Sequence, residues 1–257
     1  MGGTWGLRES GRAGPLAAVG VGAFGPVDLR PGAGHGRLLS TPKPGWSGVD
    51  LLGPLRDALG VPMALDTDVT AAAIAEGRWG AARGLDAFAY MTVGTGIGVG
   101  VIAGGRPLRG LVHPEAGHVH VPRVAGDAFP GCCPFHGDCL EGMASGPALA
   151  ARWGAAGEDL DGATLERAVE LEAAYLAAGI RALVYTVAPE RVVVGGGVAA
   201  LPGLLPRVRA CLREQLAGYP GLPEHARDAF VLPAGLGALA GPRGALAIAA
   251  DAAGARR

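Results

Sequence analysis

The stretch 113–146, HPEAGHVHVPRVAGDAFPGCCPFHGDCLEGMASG, constrains this chain more than any other. It holds three of the four cysteines and four of the six histidines. Cys133, His136 and Cys139 recur at every third position, with Pro134 and Gly137 at the turns between them. That spacing brings two thiolates and an imidazole to one point, as a tetrahedral metal ion requires. His118, upstream, is the natural fourth donor. A disulfide is the competing use of the cysteines, and Cys132 competes with Cys133 for the ligand role. The spacing to His136 favours Cys133. Four protein ligands leave no open position, so the expected Zn2+ is structural and pins a loop with little apolar core of its own. A pinned loop would hold Glu115 and Glu141 together, and two carboxylates accept hydrogen bonds from a polyhydroxylated ligand. Two solvated loop charges are the plainer alternative.

Composition sets the bounds. The 257 residues suffice for two modest domains or one large one, and 49% of them are hydrophobic. Few aromatics and abundant Gly and Ala point to close-packed helices and many turns. A net charge of −1 gives no electrostatic footprint for nucleic acid or an anionic membrane. Lys43 is the only lysine among 22 basic residues, which reads as coding bias. Cysteines grouped beside histidines indicate a metal site in a reducing compartment, and no leader or membrane-spanning run is evident, so a cytoplasmic setting is expected.

Along the chain, residues 16–21 read as a buried strand. Glycines follow it, and Gly25 is a point where backbone could approach a ligand. A short helix over 50–59 and a strand over 61–65 lead to Asp66-Thr67-Asp68, just before an alanine-rich helix over 69–77. Carboxylates at a strand end suit acid–base work, and the helix N-terminus keeps a nearby carboxylate ionised. Asp68 is the candidate base, with Asp66 or Thr67 serving the fold. Strands over 87–93 and 99–103 flank Gly94-Thr95-Gly96-Ile97-Gly98. This is a hairpin, not a strand-to-helix unit, so it is no dinucleotide fingerprint. It is either a phosphate cradle, with the Thr95 hydroxyl, or a plain tight turn. Helices over 147–154, 164–187 and 202–216 and strands over 191–194 and 229–232 follow. Gly195, Gly196 and Gly197 close the first of these strands and let a flat ligand lie on backbone. The last helix, 235–250, is interrupted at Gly241-Pro242.

Together, VGVGAFGPVDL, STPKPGW, DTDVTAAAIAEGRWGAA, VGTGIGVGVI, HPEAGHVHV, CPFHGDCLEGMASGPAL, VVVGGGV and LGALAGPRGALAIA resemble the ROK family of sugar kinases, and within it the zinc-containing bacterial fructokinases. HPEAGH combined with CPFHGDCLEG is the specific part of that likeness. The resemblance implies an α/β, actin-like ATPase (ribonuclease H-like) fold of two α/β domains with a cleft. Residues 1–80 would form the first domain, with the C-terminal helix of about 243–257 packed on it, and 81–242 the second, carrying the zinc loop. It implies ATP-dependent phosphorylation of a hexose, most nearly fructose to fructose 6-phosphate, with Mg2+. Asp68 would be the general base. Gly25, Thr70, Glu115, His118 and Glu141 would meet the sugar, and His118 also the zinc. Thr95 and Gly96 would hold phosphate, and Gly195–Gly197 the adenosine side. A homodimer is implied as well. Thr70 stands where the family usually has asparagine, which would retune sugar binding. The family opens with an acidic residue before a Gly-Gly-Thr phosphate hairpin, then several strands and a helix. Here eleven residues separate Thr4 from Leu16, too few for those elements. The first domain is therefore expected to be incomplete, with an exposed sheet edge. A sugar-binding remnant without turnover, or a kinase for glucose, mannose or an amino sugar, is the alternative.

Overall fold

A computed structural model describes residues 14–254. The Met1-Gly2-Gly3-Thr4 echo of a phosphate hairpin lies outside them. Two sheets form. In the first, β1 (Val19–Ala23) pairs in parallel with β2 (Met63–Thr67), Val19 opposite Met63 and Ala23 opposite Thr67. The long connection between them carries α1 (Gly53–Leu59) and closes on a small core of Ala23, Val27, Leu38, Leu52 and Leu65. α1 starts at residue 53, not 50, because the Asp50 carboxylate accepts the Leu52 and Gly53 N–H groups at 3.0 and 2.9 Å. Asp50 thereby serves two of the orphan donors at that helix start.

The second sheet holds β3 (Phe88–Val93), β4 (Ile97–Ala103), β5 (Arg106–Pro107), β6 (Arg191–Gly195) and β7 (Val231–Pro233), in the order β5-β4-β3-β6-β7. β4 runs antiparallel to β3 and β5, while β6 is parallel to both β3 and β7. Alternation along the strands divides the core. Ala89, Met91, Val93, Val192 and Val194 join one cluster with α5 (Gly162–Val187) and α6 (Leu204–Leu216). Phe88, Tyr90 and Val193 join another with Val69, Ala72 and Ala73 of α2 (Asp68–Trp79). Both faces are covered, so β3 and β6 read as continuous apolar runs in the sequence.

α3 (Leu140–Ala144) and α4 (Gly146–Trp153) link the metal loop to α5. α7 (Ala240–Gly254) packs on α2 and β1. The sequence reading placed a break at Pro242; the structure instead starts α7 there. Proline is tolerated in a first turn, where its missing N–H has no helical partner. α3 was not anticipated, because a five-residue helix containing Gly142 shows no apolar period. No helix among the described residues is long and apolar enough to cross a membrane.

Candidate active site and metal cluster

The loop after β5 folds back on itself at Cys133, whose N–H and C=O both pair with Gly137 at 3.1 and 2.9 Å. Gly137 has φ +64°, which favours glycine. The next turn leads Cys139 into α3, and the Leu140 N–H donates to Val119 O at 3.0 Å, which sets the loop against the short turn Ala116–His118. As a result the ligand atoms of His118, Cys133, His136 and Cys139 lie within 4.8 Å of one another. His118 Nδ1 is 3.6 Å from Cys133 Sγ and 3.5 Å from Cys139 Sγ, and His136 Nδ1 is 3.7 Å from Cys133 Sγ. Zn–S and Zn–N bonds of ordinary length at a tetrahedral angle put S and N about 3.6 Å apart. The four residues therefore fit a zinc ion in both chemistry and spacing. Cys133 and Cys139 are buried; Cys132 is exposed and lies outside the cluster.

With Nδ1 turned to the thiols, His118 points Nε2 toward Glu141, 4.0 Å from its Oε1. Glu141 Oε2 accepts the Ile97 N–H at 2.9 Å, at the start of β4. A Cβ on Gly96 would sit 2.6 Å from that oxygen, and one on Gly117 only 1.7 Å from Ile97 O. At Gly117 the obstacle is backbone and the position needs glycine, while at Gly96 a side chain would displace the Glu141 carboxylate. The Cys/His cluster is thus tied to the β3–β4 turn through one carboxylate.

A cavity of about 760 Å3 opens beside this junction. Asp68, Glu115, His118 and Glu141 line it, with Gly25, Thr95, Gly96, His136 and Lys43. Asp68 is the first residue of α2. Thr67 is the helix cap, accepting the Thr70 N–H at 3.1 Å, and Asp66 is locked in an ion pair with Arg109. Asp68 is left facing the cavity, with one bond from the Val69 N–H at 2.8 Å. Burial raises its pKa, against the lowering by that N–H and by Lys43. The helix N-terminus was expected to hold Asp68 low; desolvation outweighs it. Glu115 is pushed up to about 7, first by burial and then by the charges of Glu141 and Asp68. Sequence reasoning missed two residues. His113 contacts Glu115, and the nitrogen of Lys43 stands 3.6 Å from the centroid of the Phe24 ring at the cavity wall. That Lys43 alone among the basic residues is not arginine was the available signal for it.

Some expected residues are elsewhere. Thr70 does not reach the cavity: it is buried, and its hydroxyl accepts a 2.7 Å hydrogen bond from that of Thr67. It is the third residue of α2, and its side chain bonds to the Thr67 cap. Gly195–Gly197 lie outside the cavity lining, at the end of β6 beside Val93. Gly196 has φ +95° and would place a Cβ 2.2 Å from Val93 O, whereas a Cβ on Gly197 would meet open space.

Comparison with known proteins places the chain among sugar kinases. A fructokinase from Zymomonas mobilis is 44% identical over 236 residues, covering 91% of this chain and 78% of that one. The crystal structure of a ROK hexokinase from Thermus thermophilus superposes with a TM-score of 0.74 at 33% identity, covering 91% of this chain and 78% of that one. A ROK glucokinase from Streptomyces griseus, in complex with glucose and AMPPNP, gives 0.71 at 29% identity, covering 91% and 81%. The fold is the actin-like α/β fold these kinases share. The profile described as ROK family matches residues 8–252, so nearly the whole described chain is accounted for, and the chain belongs to the ROK family.

Proposed function

We propose that this protein transfers the γ-phosphoryl group of ATP to a hexose, converting fructose to fructose 6-phosphate. The observation that carries the reading is the meeting of Asp68, Glu115 and Glu141 on one cavity with the Thr95–Gly96 turn. Glu115, Glu141 and the free edge of His118 are suited to hold the sugar hydroxyls. Asp68 takes the proton of the attacking hydroxyl as its oxygen bonds to the γ-phosphorus and the bond to the bridging oxygen of ADP breaks. A base with a raised pKa holds that proton better than an exposed aspartate would. The backbone of Gly94–Gly96 and the Thr95 hydroxyl face the phosphates, and Gly197, open to solvent space, borders the adenosine side. Mg2+ accompanying the nucleotide supplies charge neutralisation. His118, Cys133, His136 and Cys139 would hold Zn2+, which would keep Glu141 in place. In this reading residues 1–80 with the C-terminal helix form one lobe and 81–242 the other, and the cavity is the cleft between them. The fructokinase relatives support fructose over other hexoses.

An ADP-release assay across fructose, glucose, mannose and N-acetylmannosamine tests this, with calorimetric sugar titration alongside. The expected result is turnover with fructose at a kcat/KM about tenfold or more above the others. Sugar binding without ADP release would replace catalysis by sugar sensing. Neither binding nor release would end the reading.

A further inference from the structure

Between β1 and the metal loop stands one buried side chain that the scheme above does not use. His113 is 4% exposed. Its Nε2 accepts the N–H of Val27 at 3.1 Å, in the segment that follows β1. Val27 is itself fully buried in the small core of that first sheet. On the other side of the ring, Nδ1 lies 3.3 Å from Glu115 Oε1 and 3.5 Å from Pro114 O. An imidazole that accepts at Nε2 is neutral and carries its proton on Nδ1. Burial, which lowers the pKa of His113, favours the same form. The proton therefore lies on the side of the ring that faces Glu115 Oε1 and Pro114 O, with the hydrogen bond itself going to Pro114 O. Gly25 completes the arrangement, since a Cβ there would fall 2.8 Å from the ring and 3.0 Å from Glu115 Oε1.

We propose that His113 is a positioning residue: it references the Glu115 carboxylate to the segment after β1, so that the sugar-binding oxygen is placed by both sheets at once. Glu115 is otherwise fixed only by its own loop, and the Asp68 end of the cavity belongs to the other sheet. One imidazole bridging the two sets the separation between carboxylate and base. This rests on the sugar-kinase reading for what Glu115 holds, but not for the geometry.

Two variants separate the two ends of the ring. His113→Gln keeps an acceptor where Nε2 was and removes the Nδ1–H that lies against Glu115. His113→Asn keeps a donor where Nδ1 was and gives up Val27. In steady-state assays His113→Gln is expected to raise the fructose KM about tenfold or more. Its ATP KM should stay within about twofold of the parent, a split that loss of packing alone does not produce. His113→Asn is expected to recover part of that loss. An unchanged fructose KM in His113→Gln, or equal losses for both substrates in both variants, would overturn the proposal. A second readout needs no turnover. In 15N-histidine spectra of the wild-type protein, with His113 assigned by its absence from His113→Gln, the ring must carry its proton on Nδ1. An Nε2–H tautomer refutes the proposal even if the protein is an active kinase. The Nδ1–H tautomer in a protein that phosphorylates no hexose leaves the bridge standing and removes the function.

Discussion

Asp66 and Asp68 are two residues apart and meet opposite surroundings. Asp66 is 1% exposed and held by Arg109, whereas Asp68 begins α2 with its carboxylate toward the cavity. In Asp68→Asn the amide cannot accept a proton, and kcat should fall about 10²–10⁴-fold. Fructose binding, followed by calorimetry, should persist. Undiminished turnover would show that another group is the base. The sign of the pH dependence follows from burial. The ionised form is the active one and its pKa lies above the ordinary 3.8, so kcat should fall as pH drops through that raised value. The acid limb should therefore sit at higher pH than an exposed aspartate gives. Sequence alone could not separate the two aspartates by spacing, because the distinction is made by Arg109, forty-three positions away. Thr70 is placed by a similar contact: its N–H and hydroxyl both bond to the Thr67 cap, a pairing that spacing does not announce.

The metal loop shows what an element without a core can rely on. The closeness of Cys133, His136 and Cys139 was legible because a three-residue period with proline and glycine at the turns permits few other shapes. What was not legible was the contact with the β3–β4 hairpin through Glu141, Ile97 and Gly117, since no local pattern announces a tertiary contact. That contact predicts more than metal content. The purified protein should carry about one zinc per chain. Cys139→Ser should lose it and, because Glu141 follows Cys139 by two residues, should weaken fructose binding about tenfold or more. Metal analysis and sugar titration of the same preparation check both. A zinc-free variant with intact sugar affinity would show that the hairpin contact suffices without the ion.

At the scale of the molecule, the described chain closes on itself: α7, its last helix, lies on α2, which carries Asp68, and on β1, its first strand. Close approach makes this possible. A Cβ on Gly244 would fall 2.0 Å from Ala71 O, and one on Gly20 1.9 Å from Ala245 O. The obstacle in each case is backbone, which has no rotamer to yield. Gly244→Ala should thus force α7 away from α2, although alanine is the better helix former by about 1 kcal/mol. Overpacking of this kind costs about 1–3 kcal/mol and exceeds that gain at its upper end. Leu246 is the control on the same helix: it is 63% exposed, and Leu246→Ala should change stability by no more than about 0.5 kcal/mol. Denaturant midpoints of the two variants decide the matter. If Gly244→Ala is as stable as Leu246→Ala, α7 can shift without penalty, and the seat of Asp68 is less rigid than the packing of α2 against α7 implies.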